Sequence, residues 1–346
     1  MSLKVGVVRD ERYLLHQPGL VHPERPGRLK ALYRMLDKDF GRGIIDLEPE
    51  FATLEQLELV HTPAYLRKIL RTAERDFTNL APDTPVGARS YVAAWLAVGG
   101  CIKGLQALLS GRCDACLALV RPPGHHALPD RAGGFCIFNN LGVTARYAVE
   151  RQRFKRILII DWDVHHGNGL QDLFYETKEV FYLSTHYMGW YPHTGDWEET
   201  GVGEGLGYNL NIPIPKDVTD ADLTYVYAKI LGPLMRRFRP ELILVAAGFD
   251  GHRRDPIGRT QLTERVYGNI TEVLLETRDA LRAPPLLMAL EGGYDIAALT
   301  SSVRAVIEVL IRGGRKRPVG LSSAPIGMRL VEKAHAIHGK YRVWTD

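Results

Sequence analysis

The sequence predicts a single α/β domain over residues 1–346, with a central, mostly parallel β-sheet flanked by helices on both faces. Three observations lead there. Short apolar runs of strand length alternate with longer stretches of helical periodicity. The runs are apolar throughout rather than alternating, as strands covered on both faces must be. Five polar clusters follow directly on such runs, and ligand sites in open parallel sheets form at the carboxyl ends of strands.

Taken in order, Lys4–Val8 is the first strand, followed by helical spacing over Arg28–Phe40, Ala64–Arg75 and Ala88–Leu109. The next strand, Cys116–Val120, runs into R-P-P-G-H-H, and the helix after it covers Asn140–Arg151. Arg156–Ile160 ends in D-W-D-V-H-H-G-N-G, and Val180–Leu183 ends in Ser184-Thr185-His186. A helix over Asp220–Phe238 starts at Val218-Thr219-Asp220, where the threonine suits an N-cap. Leu242–Ala247 ends in Gly248-Phe249-Asp250, and Leu286–Leu290 ends in Glu291-Gly292-Gly293-Tyr294. Helices over Thr263–Arg282 and Ile296–Ile311 complete the pattern, the last stopped by Gly313-Gly314.

Composition narrows the function classes. Of 346 residues, 45% are apolar and 24% charged, which is ordinary for a globular domain, and the net charge of +4 comes with no long basic run. That argues against a nucleic-acid partner. The first residues carry no apolar core of signal-peptide length, and the run Leu242 to Phe249 is far short of a membrane span. The expectation is a cytoplasmic protein without a membrane partner. A homo-oligomer stays open. Four cysteines do not make a disulfide framework, and C-D-A-C at Cys113 and Cys116 lacks a second pair or nearby histidines to complete a zinc set.

The chemistry concentrates after the strands. Asp161, Asp163 and His165 are each two apart, so extended backbone turns them to one side. Asp250 from a later strand end adds a second carboxylate to Asp163 and His165. Two carboxylates and one imidazole neutralise a divalent cation and leave a coordination position open for water or substrate. Carboxylates beside histidines also form hydrogen-bonded loops without metal, so the stretch alone leaves both readings. An adjacent histidine pair after a glycine, His125 and His126, suits proton transfer. Asp161 and Asn168 are available as their partners, and the aspartate-paired ring should be the more basic. Tyr294 offers a phenol to polarise a carbonyl and hold the developing oxyanion.

These stretches resemble the histone deacetylase superfamily. The matching motifs are H-P-E-R-P-G-R-L (His22 to Leu29), R-P-P-G-H-H-A (Arg121 to Ala127), G-G-F-C-I-F-N-N (Gly133 to Asn140), I-D-W-D-V-H-H-G-N-G (Ile160 to Gly169), A-G-F-D (Ala247 to Asp250) and L-E-G-G-Y (Leu290 to Tyr294). The pattern is most similar to the class II-like branch of bacterial deacetylases and acetylpolyamine amidohydrolases, where asparagine at position 168 fits. The resemblance implies the arginase–deacetylase fold and one Zn2+ on Asp163, His165 and Asp250. It implies catalytic roles for His125, His126, Asp161, Asn168 and Tyr294. It also implies K+ at one site of Asp161, Asp163, His165, Ser184 and Thr185 and at a second of Phe174, Thr177, Val180 and Tyr208. The tunnel walls would be Gly134 with Phe135 and, facing them, Trp190-Tyr191-Pro192. Asp83 would sit at the rim, and Arg25 would line a product channel.

The implied reaction is hydrolysis of an acetyl amide, with acetylated lysine side chains or small acetylated amines as substrates. Two rival readings compete with it. A two-manganese, arginase-like hydrolase needs a carboxylate two residues beyond Asp250, where this chain has His252. A non-catalytic acetyl-binding module would have lost a ligand or the tyrosine, and neither is lost. Acids at Asp196, Glu198 and Glu199 would favour a cationic substrate, offset by His252-Arg253-Arg254. Ile257 in D-P-I-G occupies the place of the glutamate gatekeeper of polyamine-specialised relatives, which favours acyl-lysine over an acetylpolyamine-specific reading.

Overall fold

Apolar strands without a polar face need cover on both sides, and the chain provides it with a parallel sheet set between helices. The computed structural model of the protein describes residues 2–314, 323–341 and 343. The strands are β1 (Val5–Val8), β2 (Ile45–Leu47), β3 (Phe77–Ala81), β4 (Thr84–Gly87), β5 (Ala115–Ala118), β6 (Ile157–Asp161), β7 (Val180–Tyr187), β8 (Asn209–Ile214), β9 (Leu242–Ala247) and β10 (Leu286–Leu290). Eight of them form one sheet in the order β2-β1-β5-β10-β9-β6-β7-β8, while β3 and β4 pair as a separate antiparallel hairpin. Every pairing in the large sheet is parallel. This is a single α/β domain, as the sequence predicts.

Every residue of β5, β6, β9 and β10 is buried, which explains their unbroken apolar character. These four lie side by side with β7, so the five strands that end in polar clusters are consecutive in the sheet. Their carboxyl ends therefore form one continuous rim. The helix starts and stops follow the expected chemistry. The Thr219 side chain accepts from Asp222 N while Asp222 reaches back, a reciprocal cap, and Gly313 ends Ile296–Arg312 in the left-handed region at φ 73°.

Besides the β3–β4 hairpin and the short helices Leu54–Leu57 and Asn168–Phe174, three further elements escape sequence reading. β2 is a three-residue edge strand. β8 reads N-L-N-I-P-I, with polar positions and a proline; Pro213 is tolerated because β8 is the last strand of the sheet. Its buried Asn209 and Asn211 donate to Gln171 Oε1 at 2.9 and 2.8 Å. The helix Pro325–His338 is the third. The helix Ser90–Leu109 is long and apolar enough to cross a membrane by length and composition, unlike the shorter Leu242–Phe249 run. It packs inside the domain, with 72% of its most apolar window buried. Cys113 and Cys116 are free and buried.

Candidate active site

The loop after β6 and the loop after β9 bring Asp163, His165 and Asp250 together. Among the described residues these three form a cluster of metal-ligating groups, with donor atoms all within 4.8 Å of one another. His165 Nδ1 lies 3.1 Å from Asp163 Oδ1 and 3.0 Å from Asp250 Oδ2. Donors bonded to one zinc at tetrahedral angles sit about 3.3 Å apart, so the spacing fits a shared ion. Backbone amides aim the remaining oxygens. Val164 N donates to Asp250 Oδ1 at 3.1 Å and Gly292 N to Asp163 Oδ2 at 2.8 Å. A side chain at Gly292 is excluded, because a Cβ there would lie 2.1 Å from Asp250 Oδ2.

The electrostatics of this cluster favour a cation. All three residues are buried. Burial and the neighbouring Asp163 charge push the Asp250 carboxyl up to about 7. Burial also opposes ionisation of Asp163, but His125 and His165 outweigh it and hold that carboxyl well below its usual range. Burial works against a charged His165, yet Asp250 and Asp163 raise it to about 10. Two buried carboxylates with one imidazole are short of positive charge, which a divalent ion supplies. His252 is turned away from the cluster, with Nε2 3.3 Å from Glu264 Oε2, so a second bridging ligand is missing there.

The tandem histidines stand beside the cluster with rings 4.0 Å apart. His125 Nδ1 is 3.1 Å from Asp161 Oδ2, and His126 Nδ1 is 2.9 Å from Asn168 Oδ1. Since both partners accept, each Nδ1 carries the proton and each Nε2 faces the site. Burial lowers both rings. For His125, Asp161 and Asp163 reverse the effect and raise it to about 10. For His126, the charges of His125 and His165 add to burial and hold it well below its ordinary value. The two rings therefore differ in the sense their partners predict. Tyr182 OH donates to Asp161 Oδ2 at 2.9 Å, fixing the carboxylate that fixes His125.

Tyr294 approaches from the loop after β10. Burial and the Asp250 charge hold its hydroxyl well above the usual pKa, so it is a donor at neutral pH. Its ring meets Phe135 edge-on at 5.6 Å, and Tyr191 meets the rings of His126 and His165 at 5.0 and 6.3 Å. Phe135 and Tyr191 thus flank the site from different loops. Gly134 and Phe135 both have left-handed backbones, at φ 56° and 68°, and a Cβ at Gly134 would lie 2.1 Å from His126 Cδ2. For Phe135 this conformation is strained. The turn between β3 and β4 holds it: Asp83 accepts from Gly134 N at 3.2 and 3.1 Å, and Thr84 Oγ1 accepts from Phe135 N at 3.1 Å. Asp83 therefore braces the wall as well as standing beside it.

Some placements differ from expectation. Arg25 is exposed; the buried guanidinium behind the tyrosine belongs to Arg28, 4.9 Å over the Tyr294 ring. Arg28 donates to the carbonyls of Gly293 and Glu291 at 2.6 and 2.5 Å and to Glu24 at 3.1 Å. Among the three acids near the rim, Glu199 turns inward to accept from Gly195 N and Asp196 N. The register pairs Asp161 with Ser184, both buried, but Thr185 Oγ1 is engaged with Tyr227 OH at 2.9 Å. Phe174, Thr177, Val180 and Tyr208 gather at the amino end of β7, where the Phe174 carbonyl accepts from Thr177 N and the Tyr208 carbonyl from Tyr182 N.

Two buried carboxyls escaped sequence reading. Asp255 accepts from Tyr294 N at 2.6 Å and from Ile257 N at 3.0 Å, so one side chain ties the half-buried Ile257 loop to the tyrosine. Glu291 accepts from Gly124 N at 2.6 Å and His125 N at 3.2 Å, and burial pushes it to about 7. Both lie inside or beside the motifs quoted above, so proximity in sequence was the available signal.

A cluster of metal-ligating groups beside two oppositely tuned imidazoles and a phenol has the chemistry to activate water. Comparison with known proteins specifies the class. The histone deacetylase domain matches residues 22–310. A probable deacetylase of Archaeoglobus fulgidus is 38% identical over 295 residues, covering 84% of this chain and 81% of that protein. Histone deacetylase HDA1 of Saccharomyces cerevisiae is 34% identical over 98% of this chain, which spans 53% of that longer protein. The crystal structure of the HDA15 HD domain superposes with a TM-score of 0.91 at 33% identity, over 99% of this chain and 95% of that one. The chain belongs to the histone deacetylase family, and family and fold together make it an amidohydrolase of the deacetylase kind.

Proposed function

We propose that the protein hydrolyses the acyl amide of N-acetyl-lysine side chains or of small acetylated amines, releasing acetate and a free amine. The observation that carries this reading is the convergence of Asp163, His165 and Asp250 beside a histidine pair whose two members are tuned in opposite directions. Zn2+ held by those three residues supplies Lewis acidity to the carbonyl and to water.

The chain's own groups do the rest. His126, neutral and anchored through Nδ1 to Asn168, takes the proton of the attacking water at Nε2. His125, held charged against Asp161, keeps a positive field beside the oxyanion. The Tyr294 hydroxyl donates to that oxyanion. The proton on His126 then passes to the departing nitrogen, and the proton left on the new carboxyl ends on the freed amine, so amide and water become acetate and an ammonium ion. Phe135 and Tyr191 confine the acyl-bearing stem between aromatic rings. K+ belongs to the same reading: the buried Asp161 and Ser184 of neighbouring strands, and the carbonyls gathered at the start of β7, offer the hard oxygens it prefers.

Apolar Ile257, tied through Asp255 to Tyr294, favours acyl-lysine over acetylpolyamine. The test is kcat/KM on acetyl-lysine peptides against acetylputrescine and acetylcadaverine, with and without chelation. Turnover that needs metal and favours peptides supports the reading. Metal-independent turnover, or none on any of the three, overturns it.

A further inference from the structure

The hairpin that braces the tunnel wall has a second surface. Its strand β3 lines a groove of about 730 Å³ with the helix Pro63–Leu70 and the turn Arg71–Glu74. Into this groove come Arg67, Lys68, Arg71 and Arg75, with Glu74 as the acid among the lining residues. All four cations are exposed. Among the described residues, none of the four side chains is held in an ion pair or hydrogen bond.

That arrangement works against stability. Arg67 and Arg71 stand one helical turn apart, a like-charge spacing that destabilises a helix, and among the described residues neither side chain forms an ion pair with Glu74 or another acid. The charge is also local: the whole chain has a net charge of only +4. The groove is close to the site as well. Thr78, Asn79 and Leu80 line it, and Leu80 is three residues from Asp83, which holds Gly134 of the tunnel wall. Three residues of chain span at most about 10 Å.

We propose that this groove is an exosite for the acidic segment of an acylated protein substrate. The proposal rests on the acyl-lysine reading above and adds the chemistry of the substrate around the lysine. A chain whose acyl-lysine enters between Phe135 and Tyr191 runs along the hairpin past Asp83. Its residues three to eight positions from the lysine then lie over the four cations. Carboxylates there meet arginine forks in a concave, positively charged surface. A free acetylated diamine is too short to reach them. An acidic peptide is favoured over nucleic acid because the groove adjoins the tunnel wall and its lining shows no row of exposed aromatic rings for base stacking.

The experiment has two arms on the full chain. Fluorescence anisotropy with a labelled peptide carrying six glutamates and no acyl group reads the groove without any turnover. Steady-state kinetics compares acetyl-lysine peptides with an acidic tract, a neutral tract and a basic tract placed three to eight residues away, alongside a minimal fluorogenic acetyl-lysine. Arg67→Ala/Arg71→Ala/Arg75→Ala is the variant, and Arg67→Lys/Arg71→Lys/Arg75→Lys is the charge-conserving control. Exposed pairs are individually weak, so three together give about a tenfold change. The alanine variant should lose about tenfold in acidic-peptide affinity and show an about tenfold higher KM for the acidic-tract substrate. kcat, and both constants for the minimal substrate, should hold, and the lysine control should stay near wild type. Raising salt should erase the difference. Equal KM for acidic and neutral tracts, no anisotropy signal, or binding of single-stranded RNA with none of the acidic peptide would overturn the exosite. Binding of the acidic peptide with no turnover of any acyl-lysine substrate would leave the groove standing and overturn the reaction assigned above.

Discussion

The two halves of the cleft are built on different principles. On the side of β6 and β9, the working atoms belong to side chains that touch one another: Asp163, His165 and Asp250 need little beyond three backbone amides to aim them. On the side of β5 and β10, the groups assigned to the proposed reaction are His125, His126 and Tyr294, and their position depends on buried residues set behind them. Glu291 clamps the backbone at Gly124 and His125, Asp255 clamps it at Tyr294, and Arg28 fills the space behind. A donor set for an ion is corrected by the ion itself. A phenol or an imidazole acting on a transition state must already be in place, and a small misplacement costs rate.

If that division holds, variants on the second side should lose rate while keeping metal. Tyr294→Phe carries the largest expected effect. It should lower kcat on the order of 10²–10³ with KM and bound metal unchanged, read by single-turnover kinetics and elemental analysis. Metal lost along with activity would erase the distinction between the halves. Next is Asp255→Ala, which leaves the Tyr294 amide without its acceptor. We expect kcat lower by about 10–100-fold at full metal content, with Asp255→Asn recovering part of it because one oxygen remains.

Glu291 sharpens the same contrast through stability. Glu291→Leu orphans the amides of Gly124 and His125 and should cost about 1–3 kcal/mol in denaturant unfolding. Glu291→Gln keeps an acceptor and should stay near wild type. Equal losses for the two would mean that the clamp acts through charge rather than through hydrogen bonding.

The effect that is smallest at neutral pH, and grows only in acid, concerns His61, behind the wall. Its Nε2 accepts from Asn139 N at 2.9 Å, and burial holds it near a pKa of about 4. The folded pKa lies below the unfolded value, so the unfolded chain binds more protons between them. Stability from this group is therefore complete above about pH 6.5 and is lost as pH falls towards 4, by about 3 kcal/mol at most. His61→Gln keeps the acceptor without the titration and should flatten the fall in melting temperature over that range.

The same contrast explains what the sequence revealed. Strands β5, β6, β9 and β10 are buried on both faces, so their apolar runs stand out, and the polar clusters after them mark the site. The donor triad was legible because spacing of two turns Asp163 and His165 to one side. The braces were not, since nothing in a sequence says which amide a buried carboxylate will reach across the fold. Arg25 and Arg28 show the limit well. Both sit in H-P-E-R-P-G-R-L, but only Arg28 lies on the inward face of the helix Gly27–Asp39. β8 was hidden because its asparagines turn inward to a glutamine rather than to an apolar core.

The most direct test of the account is metal content per chain in the wild type and in Asp163→Asn/Asp250→Asn, measured alongside turnover. We predict one divalent ion per wild-type chain, next to none in the variant, and hydrolysis that disappears on chelation and returns with zinc. A variant that keeps its ion, or a stripped wild type that hydrolyses acetyl-lysine undiminished, would contradict it.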